Sequence, residues 1–180
     1  DAKNINVTNY DLFNEDMPYL GQELFNAFGK LQNGEQLSEI EDRLLKAKAK
    51  AKELLTNADV IVMAFPLWNL TVPAKLHTFI DYITEAGFTF GYAADGSMVQ
   101  PMKDKKVLIL NARGGVYSVP AAASMEMSVN YIHNIFGNMF GMEIINEVVI
   151  EGHNADPSKS QEIIERGLEE VRKVGEKLVG

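Results

Sequence analysis

Two short stretches hold residue types that could meet a ligand: Pro66-Leu67-Trp68-Asn69-Leu70, and Asn111-Ala112-Arg113-Gly114-Gly115 with Tyr117 two residues further on. A glycine pair lets backbone come close to a bound group and offers N–H donors without side-chain obstruction, so Gly114-Gly115 suits an acceptor atom on a ligand edge. The same pair after a strand also serves a plain turn. Trp68 either sits at a ligand or covers the edge of a core, and Asn69 either faces a ligand or satisfies nearby backbone groups. Arg113 has three readings, a charge beside a ligand, a side chain pointing to solvent or an ion pair with a carboxylate. Tyr117 either lines a cavity or packs. The chain has no cysteine, which excludes disulfides and thiolate chemistry. His77, His133 and His153 have no partner at metal-ligand spacing, so no metal is expected.

Both stretches follow short, β-branched, nearly charge-free runs, "DVIVMAF" and "KVLIL", which read as strands buried on both faces. In open parallel sheets ligands bind at the carboxyl ends of strands, where these two loops fall. Thr71 and Pro73 have the residue types of a helix start. The predicted order is a strand over 5–10, an irregular segment over 13–35 and a helix over 38–57 with Ser38 as cap and Glu41 in capping-box position. A strand over 60–65 and a helix over 73–86 follow, then a hairpin-like excursion turning at Asp95-Gly96. The "KVLILNA" strand, a helix over 121–136, the strand in "MEIINEVVIEG" and a final helix with Asp156 as cap and Pro157 at its first position complete the chain. "KAKAKAKELL" reads as the solvent face of a helix. Strands alternating with helices give an α/β fold with a mainly parallel sheet, here of four strands.

With 180 residues and 46% hydrophobic composition, residues 1–180 fit a single domain with a real core. A net charge of -8 argues against a nucleic-acid binder, whose phosphate contacts need a basic surface, and against anionic membranes. No apolar run approaches the ~20 residues of a membrane span, and no signal peptide opens the chain, so a cytoplasmic protein is expected.

"PLWNLTVPAKLHTFIDYITEAGFTFGY" followed by "NARGGVYS" resembles the FMN-dependent NADH:azoreductases, flavoproteins of the flavodoxin-like, quinone-reductase superfamily. That family carries a Met-Tyr-Asn-Phe loop before a Pro-started helix, an Ala-Gly-x-Thr-Phe-x-Tyr segment and a Ser-Arg-Gly-Gly loop. Here the three are Leu67-Trp68-Asn69-Leu70, Ala86 to Tyr92 and Ala112-Arg113-Gly114-Gly115. The resemblance implies a flavodoxin-like open parallel sheet with helices on both faces, a three-layer sandwich. It implies FMN held by Pro66 to Leu70, Asn111 to Gly115 and Tyr117, with the Gly114-Gly115 amides at the pyrimidine oxygen of the flavin. It also implies ping-pong transfer of reducing equivalents from NADH (or NADPH) to quinones or azo dyes without a catalytic side chain, and a homodimer in which Phe136 and Phe140 either cross to the second subunit or stay in the core.

The family begins with a strand, a Ser-rich loop gripping the FMN phosphate and a helix, which this chain does not show. It is expected to be N-terminally incomplete, entering at the family's second strand. A second reading of the same residues is a flavodoxin-like electron carrier with no substrate reduction of its own, to which the acidic charge is suited.

Overall fold

The structure, a computed structural model, describes residues 5–179. In chain order its elements are α1 (Gln22–Asn33), α2 (Glu39–Asn57), β1 (Val60–Pro66), α3 (Ala74–Ile83), β2 (Gly91–Tyr92) and β3 (Met98–Val99). There follow β4 (Lys106–Arg113), α4 (Ser128–Ile132) running on as a π-helical segment His133–Met139, β5 (Glu143–Glu151) and α5 (Ser160–Val179). The chain divides into two compact units. One contains Val60–Pro73 and everything from Met102 onward; the other contains Tyr10–Asp59 and Ala74–Pro101.

The first unit is built on a parallel sheet in the order β1-β4-β5. Its middle strand carries the continuous apolar run Val107-Leu108-Ile109, all three buried, as a strand covered on both faces requires. β1 alternates instead: Met63 and Phe65 are buried while Val62 is 50% exposed, so the expectation that this run is buried on both faces is corrected. It is an edge strand among the described residues, and one of its faces is open. α5 lies on the face of Leu108, Leu110 and Val148, contributing Val171 and Val174. The other face meets the α4 and π-helical segment, where His133 Nε2 lies 3.0 Å from Glu147 Oε2 and Gly137 sits over Ile144. Helices therefore cover both faces of this sheet, as expected.

The segment 121–136 is not one helix. Its helix starts at Ser128, because the Glu126 carboxylate takes the Ser128 and Val129 amides as a cap does, at 2.9 and 3.0 Å. The last turn widens, with the Phe140 amide bonded to the Ile135 carbonyl at 2.9 Å. Phe136 and Phe140 are fully buried and meet edge to face at 5.4 Å, so in this chain both rings are core.

In the second unit the α2 start is as predicted: Ser38 caps it and Glu41 completes the capping box. α1 replaces the predicted irregular segment. Leu24 and Ala27 form its buried stripe and Gly34, at φ 69°, closes it, but exposed Phe25, Phe28 and Leu31 hide the period. The α2 lysines are not all solvated either. Lys48 is buried, donating to the Tyr82 carbonyl at 2.6 Å and pairing with Glu85 at 2.8 Å. α3 stops at Ile83 rather than residue 86 because the buried Thr89 hydroxyl donates to the Ile83 carbonyl at 2.7 Å and folds "EAGFTF" into a closed turn. The Asp95-Gly96 excursion is the antiparallel pair β2 and β3, its turn held by Asp95 and by Gly96 at φ 83°. Residues 5–10, expected as a strand, form none; a ladder needs a hydrogen-bonding neighbour, and Val7 is 84% exposed.

Two glycines of α5 should respond oppositely to alanine. A Cβ at Gly167 would overlap Ile150 of β5, whereas one at Gly175 meets nothing. Alanine favours a helix by about 1 kcal/mol over glycine, and a clash of this kind costs about 1–3 kcal/mol. Gly175→Ala should raise, and Gly167→Ala lower, the urea midpoint at unchanged slope.

Candidate functional site

The two loops leave neighbouring strands at one edge of the sheet. Pro66 lies opposite Ala112 in the parallel register, and the Leu67 amide donates to the Ala112 carbonyl at 2.8 Å. Beyond that bond the first loop is not irregular. Trp68 and Thr71 exchange both backbone bonds, at 3.1 and 3.0 Å, around Asn69 at φ 50° and Leu70 at φ 68°. Two central residues with positive φ mark a turn of type I′. Asparagine tolerates this conformation, but a leucine pays roughly 1–2 kcal/mol for it. The Met127 amide holds Leu70 there by donating to its carbonyl at 2.9 Å. The turn leaves Trp68 52% exposed at the tip, while Val72 anchors the exit as a buried residue.

In the second loop the side chains turn inward and the backbone faces out. Asn111 is buried and donates from Nδ2 to the Phe65 carbonyl at 3.1 Å, tying β4 to β1. Ala112 is exposed. Arg113 is only 8% exposed and its Nε lies 3.5 Å from Glu151 Oε2, so of its three readings the structure has the ion pair. The carbonyl of Gly114 accepts from the Asn154 and Ala155 amides at 3.0 and 3.2 Å, and that of Gly115 from the Gly152 amide at 3.1 Å. Among the described residues the Gly114 and Gly115 amides donate to no protein group. A Cβ at Gly114 would stand 2.5 Å from Asn154 Nδ2, which explains the need for glycine there. Tyr117 folds back so that its ring edge lies 3.1 Å from the Cβ position of Gly115, the packing reading of that residue.

Sequence reasoning missed a third loop and two carboxylates. Gly152-His153-Asn154 follows β5 and braces the diglycine loop. The rule applied to the other loops, that ligands gather after parallel strands, would have found it in "VVIEGHN". His153 Nδ1 is buried with no partner, as is Asn111 Oδ1. Glu151 Oε2 accepts from the Tyr117 and Ser118 amides at 2.9 and 3.2 Å, and its Oε1 takes the Ser118 hydroxyl. Burial pushes the Glu151 carboxyl up, but the Ser118 and Tyr117 hydrogen bonds and the Arg113 charge outweigh it and hold it below the usual carboxylate range. Glu126 behaves alike: burial raises it, and bonds from Ser128 and Val129 with the Arg113 charge bring it down overall. Both are thus anionic and engaged, unsuited to donate protons near neutral pH. What the edge offers a ligand is hydrogen-bond donors from backbone beside an exposed indole, which fits the acceptor-bearing edge of a flat heterocycle.

The lowered carboxyls set an acid limit. A depressed folded-state value means stability that is complete above the unfolded value, about 4.3 for Glu, and is lost as pH falls through the folded one. Urea unfolding followed by Trp68 fluorescence should weaken between pH 5 and pH 3 (roughly that window), and less so in Glu126→Gln and Glu151→Gln.

Comparison with known proteins agrees with this architecture. The chain is 44% identical over 174 residues to the FMN-dependent NADH:quinone oxidoreductase 1 of Bacillus subtilis strain 168, covering 97% of this chain and 83% of that one. Among solved structures, an azoreductase from Bacillus anthracis strain Sterne superposes with a TM-score of 0.81 at 46% identity, covering 93% of this chain and 80% of the other. An FMN-dependent NADH-azoreductase from Bacillus anthracis strain Ames Ancestor, solved in complex with FMN, gives 0.82 at 26% identity over 95% and 80%. Residues 1–174 match the family of flavodoxin-like fold, and this chain belongs to that family.

Proposed function

We propose that this chain is an FMN-dependent oxidoreductase that takes reducing equivalents from NADH and passes them to quinones or azo compounds. The observation that carries the reading is the pair of loops after β1 and β4, brought to one sheet edge with the Gly114 and Gly115 amides undonated. The names of the relatives, NADH:quinone oxidoreductases and azoreductases, point the same way and disfavour a carrier without a substrate. Bound FMN would supply hydride acceptance from a nicotinamide and its onward delivery to a flat acceptor.

The chain's own residues bind and orient. Gly114 and Gly115 would hold bound FMN with backbone donors, which would favour its reduced, more negatively charged form. Pro66, Leu67, Trp68, Asn69 and Leu70 form the facing wall, shaped by the left-handed turn. Asn111 and Arg113 act from behind the loop, Asn111 by joining the strands and Arg113 by its ion pair. Ala112 adds backbone, and Tyr117 supports Gly115. The family match runs unbroken through both compact units, which supports reading 1–180 as one flavodoxin-like domain. Among the described residues no helix is long and apolar enough to cross a membrane; that the protein works as a cytoplasmic homodimer is part of the proposal, resting on its resemblance to the azoreductase family.

The purified holoprotein should be yellow and should bleach on anaerobic mixing with NADH, then recover on adding a quinone. FMN should quench Trp68, the only tryptophan, and at about 100 times its dissociation constant should add about 2.7 kcal/mol of stability. A colourless protein with no thermal shift in FMN would refute the reading.

A further inference from the structure

The segment joining β4 to α4 is pinned at both ends by carboxylates, one of them ion-paired with the buried Arg113. At its start Glu151 holds the Tyr117 and Ser118 amides and the Ser118 hydroxyl. At its end Glu126 holds the Ser128 and Val129 amides and the Ser128 hydroxyl. Arg113 Nε lies 3.5 Å from Glu151 Oε2, and its charge helps to hold the Glu126 carboxyl down. Between those pins the Met127 amide bonds the Leu70 carbonyl, in the strained turn of the other loop. The links are the diglycine loop, Glu151 with its Arg113 ion pair, the Tyr117 and Ser118 amides it holds, the backbone running on to Met127, and Leu70 and Trp68 in the turn.

We propose that Glu151 is a positioning residue which, through Arg113 and the segment it pins, couples the diglycine loop to the Trp68–Thr71 turn, so that the two walls of the cofactor site move as one. The consequence for FMN rests on the function proposed above; the coupling itself does not need the flavin. Three features favour coupling over simple local packing. Glu151 spends three acceptor contacts on two consecutive residues of one loop. Arg113 is nearly fully buried with Glu151 as its ion-pair partner, so removing that carboxylate leaves a buried cation under-compensated. Leu70 keeps a left-handed conformation that a leucine adopts only when surrounding bonds impose it.

The sole tryptophan lies in the turn, remote in sequence from Glu151, and reports the coupling directly. Trp68 anisotropy decay and acrylamide quenching are measured on the apoprotein for wild type, Glu151→Ala, Glu151→Gln and Ser118→Ala. FMN titration by fluorescence quenching follows on the same samples, with melting curves as a fold control. Glu151→Ala should free Trp68, giving faster local depolarisation and stronger quenching, and should weaken FMN binding on the order of tenfold, as loss of hydrogen bonds to a charged acceptor does. Glu151→Gln keeps an acceptor for the Tyr117 and Ser118 amides and should recover most of both signals. Ser118→Ala, at an exposed position that leaves folding intact, should show the same changes as Glu151→Ala, but smaller, and stands in if that variant does not fold. Unchanged Trp68 dynamics in folded Glu151→Ala, or in Ser118→Ala, overturn the proposal, as does a Gln variant no better than Ala. Should wild type fail to bind FMN, the proposed function falls, and the flavin-free Trp68 result still decides the coupling.

Discussion

The structure depends first on the register between β1 and β4. Because Pro66 lies opposite Ala112 and the Leu67 amide closes on the Ala112 carbonyl, two loops more than 40 residues apart in sequence begin at the same height on adjacent strands. A parallel ladder slipped by one residue would reverse which side chains face the helices and displace the loops from each other. Asn111 adds a side-chain bond to the Phe65 carbonyl one pair before the last, near the ladder's end, where a slip would be least resisted by packing.

On that edge the division of labour is between backbone that faces outward and charge that is kept inside. Arg113 could have been the chemistry of the second loop; burial and its ion pair with Glu151 make it a counterion instead. An ion pair out of water gains little net stability over apolar packing, so its value lies in specifying one arrangement. What it specifies here is the path of the segment from Gly114 to α4, including the bond from Met127 to Leu70. Backbone donors set in this way need no reorganisation when a ligand arrives, the condition under which they stabilise developing charge best.

Where the sequence was legible, one local cause dominated. The α2 start followed from Ser38 and Glu41, which need only each other. β4 followed from an apolar run too short for a helix. The Asp95-Gly96 turn followed from a glycine that accepts positive φ. Where two causes competed, the sequence misled. α1 was hidden because its apolar residues spread beyond a single stripe. The helix before β5 was drawn too long because Glu126, an unremarkable residue in sequence, cuts it short by capping from a distance of two and three positions. Lys48 looked like one of several solvated lysines until its Tyr82 and Glu85 partners appeared from another helix.

For the site, residue type and position after a strand were enough to single out Trp68, Asn69, Gly114 and Gly115, since strand ends in a parallel sheet share an edge whatever the intervening chain does. Composition alone likewise excluded thiolate chemistry and a phosphate-seeking surface. Which of those residues would present a side chain and which only a backbone was decided in three dimensions. The left-handed pair at Asn69-Leu70, the inward Arg113 and the braces from Glu151 and Asn154 all arise from partners 30 or more residues away or from strain imposed by them. Local sequence encodes what a residue can do; whether its polar groups are already satisfied depends on neighbours that only folding supplies.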